Sequence, residues 1–330
     1  MMGAVVRSWG FSLPKQQLHN AELAARVGVT EEWIYERTGI KSRRIASAGE
    51  STASLAISAG TDALERAELR PDQIDLVIVA TATADQQLPG AAPLVQAGIG
   101  ATRAGAFDVG AGCAGFLYAL SVASALVGAG TIRRVLVCGA DVLSRVTDYS
   151  DARSCILFGD GAGAAVVEAT EGSGQVGPFL LHSDGTATGL LHIDHETGLI
   201  RMEGRQVYRR AVQGMTESVR EIVAAAGISL DDVRLLVAHQ ANARILEAVA
   251  SQLGLDERRV LTNIVRYGNT SAASIPIAIA EAAQQNILED GDIVVLTAFG
   301  AGFVWGAGML RWSTRSQDQE RALVSEAVGV

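Results

Sequence analysis

Apolar runs rich in β-branched residues alternate along the chain with segments of helical periodicity. The first round predicts strands at IDLVIVAT (74–81), GAFDV (105–109) and RVLVCGA (134–140), with helices near 93–99 and from residue 113. The second round predicts strands at VRLLVAH (233–239) and IVVLTAF (293–299), with helices over 207–226, 241–253 and 272–288. This alternation is typical of an α/β layered fold.

The two rounds also resemble each other. LRPDQIDLVIVA (69–80) parallels ISLDDVRLLVAH (228–239), and FGDGAGAAVV (158–167) parallels FGAGFVWGAG (299–308). Any two βα units can look alike by chance, but two parallels in the same order favour an internal duplication. We therefore predict two halves that pack into one body, residues 1–170 and 171–312, followed by a tail at 313–330.

The composition is that of a globular protein. Of 330 residues, 48% are hydrophobic and 19% charged, and a net charge of −9 argues against general nucleic-acid binding. Three cysteines in apolar or Gly-rich surroundings do not indicate a disulfide framework, and the first residues lack the pattern of a secretory signal. We expect a cytoplasmic location. Residues 109–132 carry no charge, but Gly and Ser interrupt them, so we expect a buried helix and not a membrane span.

Cys113 is the candidate nucleophile. It lies in VGAGCAGFLYAL, after a predicted strand and at the start of a long apolar helix. A thiol at a helix N-terminus faces unpaired N–H groups, so we expect a lowered pKa and a reactive thiolate. The alternative is an inert, small apolar residue. Cys138 and Cys155 fit that alternative.

Two polar residues in the second half are candidate partners. His239 ends the strand VRLLVAH and begins HQANARI, whereas the other four histidines lie in polar or loop-like stretches. Asn269 lies in YGNTSAAS, a turn before an apolar helix. Taken alone, His239 could be a hydrogen-bonded core histidine and Asn269 a helix cap.

Together these segments resemble the Cys-His-Asn motifs of the β-ketoacyl-acyl carrier protein synthase III family. The resemblance spans residues 1 to about 312, and the motifs follow the family order. They are EEWIYERTGIKSRR (31–44), GAGCAGFLYAL (110–120), LFGDGAGAAVV (157–167), MEGRQVYRRAV (202–212), AHQANARI (238–245), YGNTSAAS (267–274) and FGAGFVWG (299–306). The fold implied is thiolase-like, with two duplicated βαβαβ-type halves in an α-β-α-β-α body.

The resemblance implies an acyltransferase that begins fatty-acid or polyketide chains. An acyl group from acyl-CoA would be loaded on Cys113 and condensed with a malonyl thioester on acyl carrier protein, with loss of carbon dioxide. The backbone N–H groups of Cys113 and Gly302 would form the oxyanion hole, and His239 and Asn269 would stabilise the enolate. Neither a metal nor an organic cofactor is expected. GDGAG (159–163) precedes a strand-like run, unlike a dinucleotide-binding fingerprint.

Further residues match family positions for substrate binding and assembly. Trp33, Arg37, Thr38, Arg209 and Asn242 would bind coenzyme A, although without the family they could be a packed Trp and surface polar groups. A homodimer is expected, with Leu88 as its gate to the acyl pocket. Carrier-protein docking is assigned to Arg205, Arg210, Arg244, Arg258 and Arg259, which could otherwise form a solvated face.

Several features depart from the family pattern. Ala152 replaces the usual Arg after Asp151, and Arg153 is displaced by one residue, which affects one coenzyme A contact. Leu88 stands where a bulky gate residue is common, and residues 179–202 are shorter than usual. One rival is a thiolase-fold acyltransferase that forms an ester or amide without decarboxylation, although the presence of Asn269 argues against it. A papain-like hydrolase and a non-catalytic synthase subunit are less consistent with these motifs.

Overall fold

Two large β-sheets, two small two-stranded sheets and three layers of helices make up residues 2–172 and 174–313, the part of the chain that the computed structural model describes. The strands of these residues are, in chain order, β1 Met2–Ser12, β2 Gln16–His19, β3 Ser42–Ile45, β4 Leu76–Ala80, β5 Gly105–Val109, β6 Arg134–Val142, β7 Asp160–Glu171, β8 Val176–Ser183, β9 Leu191–Ile193, β10 Ile200–Met202, β11 Val233–Ala238, β12 Ile293–Gly300 and β13 Val304–Arg311. The α-helices are α1 Asn20–Val27, α2 Glu31–Thr38, α3 Thr52–Arg66, α4 Ala91–Ile99, α5 Gly115–Gly128, α6 Gly204–Ala225, α7 Ala243–Leu253, α8 Ile264–Tyr267 and α9 Ser274–Gln284.

The first sheet has the strand order β1-β7-β6-β4-β5. Strand β4 runs parallel to both β5 and β6, while β7 runs antiparallel between β6 and β1. The apolar run of β4 is buried throughout, whereas the edge strand β5 is partly exposed. Because β4, β5 and β6 are parallel, their carboxyl ends meet at one edge of the sheet.

The second sheet repeats this arrangement with the order β11-β12-β13-β8. Strands β11 and β12 are parallel, and β13 is antiparallel to β12 and β8. The duplicated segments 69–80 and 228–239 each form a short 3-10 turn followed by a parallel strand, β4 or β11. The predicted duplication is therefore visible in three dimensions. We propose that the boundary between the two halves lies near residue 170 of the chain, between β7 and β8.

Helices α5 and α9 form the central layer between the sheets. Helix α5 contacts strands of both sheets, and α9 packs on β1 and β7 of the first sheet and on β11 of the second. Their apolar side chains, such as Leu120 and Ile279, are fully buried. The turn before α9 lies so close to strand β6 that residue 139 must be glycine. A Cβ at Gly139 would lie 2.4 Å from the Ala272 carbonyl oxygen.

The outer layers complete the predicted α-β-α-β-α order. Helices α3 and α4 cover the outer face of the first sheet, and α6, with α7 beside it, covers that of the second. The uncharged segment 109–132 supplies the buried helix α5. Among the described residues, no helix is long and apolar enough to cross a bilayer.

The predicted elements differ from the structure mainly at their ends. The helix expected from residue 113 begins at Gly115, after a 3-10 turn, and the helix expected to reach residue 288 ends at Gln284. Three strands of the large sheets, β1, β8 and β13, and the two small sheets, β2 with β3 and β9 with β10, were not predicted as strands. Helices α1, α2, α3 and α8 were not predicted either. The tail predicted at 313–330 lies, apart from Ser313, outside the described residues.

Candidate active site

A cavity of about 950 Å³ lies where the carboxyl ends of the parallel strands of both sheets meet. Its wall contains one residue that closely follows each of these strands: Ala82 after β4, Cys113 after β5, Leu143 after β6, His239 after β11 and Ala301 after β12. Ligands of open α/β sheets bind at such carboxyl ends. The duplication thus brings the carboxyl ends of two sets of parallel strands, one from each sheet, to one pocket.

Cys113 lies at the centre of the 3-10 turn Gly112–Ala114 that leads into α5. A Cβ at Gly300 would lie 2.6 Å from the Cys113 nitrogen, so glycine is required there and the end of β12 packs directly on the nucleophile turn. The thiol lines the cavity, and the Ser271 hydroxyl donates a hydrogen bond to its Sγ over 3.4 Å.

The expectation of a lowered Cys113 pKa is wrong in direction. Burial raises the pKa of this thiol to about 11, and hydrogen bonds from Ser271 and the Cys113 backbone N–H only partly oppose the rise. Removing a thiolate from water disfavours the charged form. The helix start cannot compensate fully, because α5 begins two residues after the cysteine.

His239 is delivered by the buried strand β11 and is 1% exposed. Its backbone N–H donates to Thr297 O, and its Nδ1 lies 2.7 Å from Ser274 Oγ. Because Ser274 Oγ already accepts from the Gln240 backbone N–H, its own proton is free to reach Nδ1. We therefore assign the ring proton to Nε2 from the hydrogen-bond pattern. Burial lowers the pKa of His239 to about 3, so the imidazole is neutral.

Asn269 is held at the start of the turn before α9. Its backbone N–H donates to Leu157 O, and its carbonyl accepts from the Gly159 N–H. Its side-chain Oδ1 accepts from the Ser271 backbone N–H at 2.9 Å. The amide oxygen is thus engaged in the turn, and the Nδ2 donor is left for the cavity that Asn269 lines.

The structure therefore brings Cys113, His239 and Asn269 to one cavity. Gly302 does not line the cavity, although its neighbour Ala301 forms part of the wall. Leu88 lies on the loop before α4, 88% exposed, and does not reach the cavity within one chain.

All five residues assigned to coenzyme A line the cavity, namely Trp33, Arg37, Thr38, Arg209 and Asn242. The Arg37 guanidinium lies 4.0 Å above the Trp33 ring. Asn242 caps α7 by accepting the Arg244 N–H with its Oδ1, and it donates its Nδ2–H to Arg37 O. It therefore links the start of α7 to helix α2. Arg153, one position later than the family arginine, also lines the cavity.

The arginines assigned to carrier docking do not form one group. Arg205 and Arg244 lie at the cavity. Arg210 pairs with Asp184 at 2.6 Å, and Arg258 pairs with Asp256 at 2.6 Å. Arg259 donates to the carbonyls of Leu230 and Val233. Arg258 and Arg259 follow the far end of α7, which is about 14 Å from Arg244 at the helical rise of about 1.5 Å per residue.

The sequence reasoning missed the supporting residues of the site. Ser274 orients His239, and Gln240 accepts the backbone N–H groups of Asn263 and Ile264. The buried Asp141 accepts the N–H of Ala272, in the turn before α9, at 3.2 Å. Asp141 could have been noticed as an acid at the end of the buried strand RVLVCGADV. The contacts of Ser274 and Gln240 had no comparable signal.

No group of three or more His, Cys, Asp or Glu side chains within the described residues is placed to hold a metal ion.

The chain is similar to known enzymes over most of its length. Residues 107–185 match the family described as 3-oxoacyl-[acyl-carrier-protein (ACP)] synthase III, and residues 223–312 match that family's C-terminal part. The β-ketoacyl-[acyl-carrier-protein] synthase III of Rhizorhabdus wittichii is 45% identical over 319 residues, covering 94% of this chain and 100% of the relative. That of Rhodospirillum centenum is 46% identical over 319 residues, with 94% and 99% covered.

Solved structures agree with these relatives. The 3-oxoacyl-[acyl-carrier-protein] synthase III of Aquifex aeolicus VF5 superposes with a TM-score of 0.91 at 43% identity, covering 94% of this chain and 100% of the other. The priming β-ketosynthase of the R1128 polyketide pathway has a TM-score of 0.89 at 36% identity, with 94% and 96% covered.

The fold is thus that of a thiolase-like condensing enzyme. More narrowly, the chain belongs to the β-ketoacyl-[acyl-carrier-protein] synthase III family and is an acyltransferase.

We expect the imidazole of His239 to remain uncharged between pH 8 and pH 5, because burial lowers its pKa to about 3. The measurement is a pH titration of the histidine ring signals by NMR, assigned with a His239→Gln variant. A His239 titration midpoint near 6.5 would show that burial does not control this group.

Proposed function

We propose that this enzyme transfers an acyl group from acyl-CoA to Cys113 and condenses it with malonyl-acyl carrier protein. The observation that carries the proposal is the meeting of Cys113, His239 and Asn269 at one cavity, with the coenzyme A candidates on the same wall. The product is a β-ketoacyl thioester that begins a fatty-acid or polyketide chain. No metal or organic cofactor takes part in the proposed reaction.

In the first stage the Cys113 thiolate attacks the thioester carbonyl of acyl-CoA. The new carbon–sulfur bond forms as the bond to coenzyme A breaks, and the coenzyme A thiolate leaves. We assign the oxyanion hole to the backbone N–H groups of Cys113 and Gly302, by resemblance to the family. The assignment is supported by the packing of the segment after β12 on the Cys113 turn. One such donor typically lowers the activation barrier by about 3 kcal/mol.

In the second stage the malonyl thioester loses carbon dioxide and becomes an enolate. The enolate oxygen accepts hydrogen bonds from His239 Nε2–H and Asn269 Nδ2–H. Both donors are neutral, which suits an anion formed in a pocket that excludes water. The enolate carbon attacks the acyl-Cys113 carbonyl, a carbon–carbon bond forms, and the Cys113 thiolate is released for the next cycle.

Substrate entry is assigned to the cavity mouth. Trp33, Arg37, Thr38, Arg209 and Asn242 are proposed to bind coenzyme A, and the position of Arg153 suggests that it replaces the missing family arginine. Carrier docking is proposed for Arg205 and Arg244, which lie at the cavity. The ion-paired Arg210 and Arg258 and the carbonyl-bound Arg259 have less charge available for a partner.

A cytoplasmic location is also part of the proposal. It is supported by the free thiols of Cys113, Cys138 and Cys155, which a reducing compartment preserves.

A homodimer completes the proposal. It is supported by the open edge of β5, where Phe107 is 39% exposed, and by the exposed apolar Leu88. An unpaired strand edge is a ready surface for pairing with another chain. In the dimer, Leu88 of one chain would border the acyl pocket of its partner.

Acyl loading tests the nucleophile. Incubation with a panel of acyl-CoA donors should add one acyl mass to the intact protein, and the panel also identifies the preferred chain. The Cys113→Ala variant should show no adduct, whereas Cys155→Ala should load, because Cys155 is buried away from the cavity. An adduct that survives the first change and disappears with the second would refute the assignment.

Asn269 variants test the enolate donor. Asn269→Asp keeps an oxygen to accept the Ser271 N–H but removes the amide donor, so carbon dioxide release from malonyl-acyl carrier protein should fall by about 100-fold or more. Acyl loading of Cys113 should change only a few-fold. Asn269→Ala, which also removes the turn contact, is the matched comparison. Equal loss of loading and decarboxylation in Asn269→Asp would contradict the proposed division of labour.

Scattering in solution tests the dimer. The measured mass should be twice the chain mass of 34.4 kDa. Phe107→Lys, which places a charge on the β5 edge, should give the mass of a single chain. Leu181→Lys is the control, because Leu181 is equally exposed but lies on β8. A monomeric wild-type protein would exclude the dimer and the role of Leu88.

A further inference from the structure

Ser271 is the residue of the 269–274 turn that touches the sulfur of the nucleophile. We propose that Ser271 is a further catalytic residue, whose hydroxyl stabilises the Cys113 thiolate by donating a hydrogen bond to it. This inference rests on Cys113 being the nucleophile of the proposed function.

The contact is direct and partly buried. Ser271 Oγ lies 3.4 Å from Cys113 Sγ, within hydrogen-bond range for sulfur, and Ser271 is 2% exposed. Ser271 also lines the active-site cavity. A hydroxyl that donates to a thiolate is a charge-assisted hydrogen bond, which is stronger than a bond between neutral groups.

The backbone of Ser271 is held in an unusual conformation from both sides. Its φ of +51° is in the left-handed region, which a non-glycine residue adopts only at some energetic expense. Its N–H donates to Asn269 Oδ1, and the next N–H, of Ala272, donates to Asp141 Oδ2. These two bonds fix the turn, and the Ser271 hydroxyl then lies between the Asp141 carboxyl and Cys113 Sγ, to which it donates.

The chemistry requires such a donor. Thioester attack needs a thiolate, and desolvation together with the nearby Asp141 carboxylate raises the pKa of Cys113 and so opposes its ionisation. His239 lacks the charge to stabilise it, because burial keeps the imidazole neutral. Helix α5 begins two residues too late to do so alone. A hydroxyl in contact with Sγ supplies local stabilisation without adding a net charge that would compete with the enolate step.

The test measures thiolate formation without any substrate. Cys113 is alkylated with iodoacetamide at several values between pH 7 and pH 10, and the adduct is followed by intact mass and assigned by peptide mapping. Loss of one charge-assisted bond should raise the thiol pKa by about one unit, so Ser271→Ala should react about tenfold more slowly at each pH below that pKa. Easier access cannot mimic this result, because removing the hydroxyl opens the path to Sγ and by itself would speed alkylation.

Two further variants separate the hydroxyl from the turn. Ser271→Gly also lacks the hydroxyl but relieves the left-handed backbone, and it should slow alkylation as much as Ser271→Ala does. Ser8→Ala removes a buried hydroxyl that donates to Ala63 O and does not line the cavity, so its alkylation rate should stay within about twofold of wild type.

Unchanged or faster alkylation in Ser271→Ala and Ser271→Gly would overturn the proposal. Slow alkylation in Ser271→Ala with a normal rate in Ser271→Gly would also overturn it, since the turn and not the hydroxyl would then matter. The alkylation assay uses no acyl-CoA and no carrier protein. A failure of acyl loading would therefore count against the proposed function and leave this result standing.

Discussion

The buried carboxylate of Asp141 joins the two halves of the molecule at the active site. It ends the buried strand β6 and is 0% exposed. One oxygen accepts from the hydroxyls of Thr81 and Thr83 and from the Ala82 N–H, and the other accepts from the Ala272 N–H. A buried carboxylate is tolerated only when such donors surround it, and here they come from the end of β4 and from the turn before α9. That turn carries Asn269, Ser271 and Ser274, so the geometry of the site depends on this one group.

The duplicated architecture explains why the site has three contributors. Each sheet offers the carboxyl ends of its parallel strands, and the two edges face one another across α5 and α9. The first sheet supplies the proposed nucleophile Cys113 after β5, and the second supplies the imidazole of His239 after β11. The amide reaches the cavity on the turn that Asp141 holds. A single half has only one such edge, so it cannot enclose both the acylated sulfur and the enolate.

The sequence predicts strands β4, β6, β11 and β12 well because the signals for these strands are local. The apolar, β-branched runs of β4, β6, β11 and β12 were identified, and the order of motifs placed Cys113, His239 and Asn269 at strand or helix ends. Strands β8 and β13 were missed because Gly and Pro interrupt their patterns. Contacts between distant segments, such as Asp141 with Ala272 or Ser274 with His239, depend on packing and have no local signal. The Cys113 pKa was misjudged for the same reason: its position at a helix start is visible in the sequence, but the depth of the cavity is not.

Burial raises the pKa of Cys113 and lowers the pKa of His239, because it disfavours the charged form of each group. The proposed reaction uses both effects. Burial opposes ionisation of Cys113, so the thiolate requires dedicated donors and forms only where they are placed. It also keeps His239 neutral, so no imidazolium can pair with the thiolate and hold it in an unreactive ion pair. The same neutrality leaves one imidazole N–H for the enolate. In the proposed reaction one pocket therefore serves two different anions in turn, because the donors that face them are hydrogen-bonding dipoles held by the turn at 269–274 and not permanent charges.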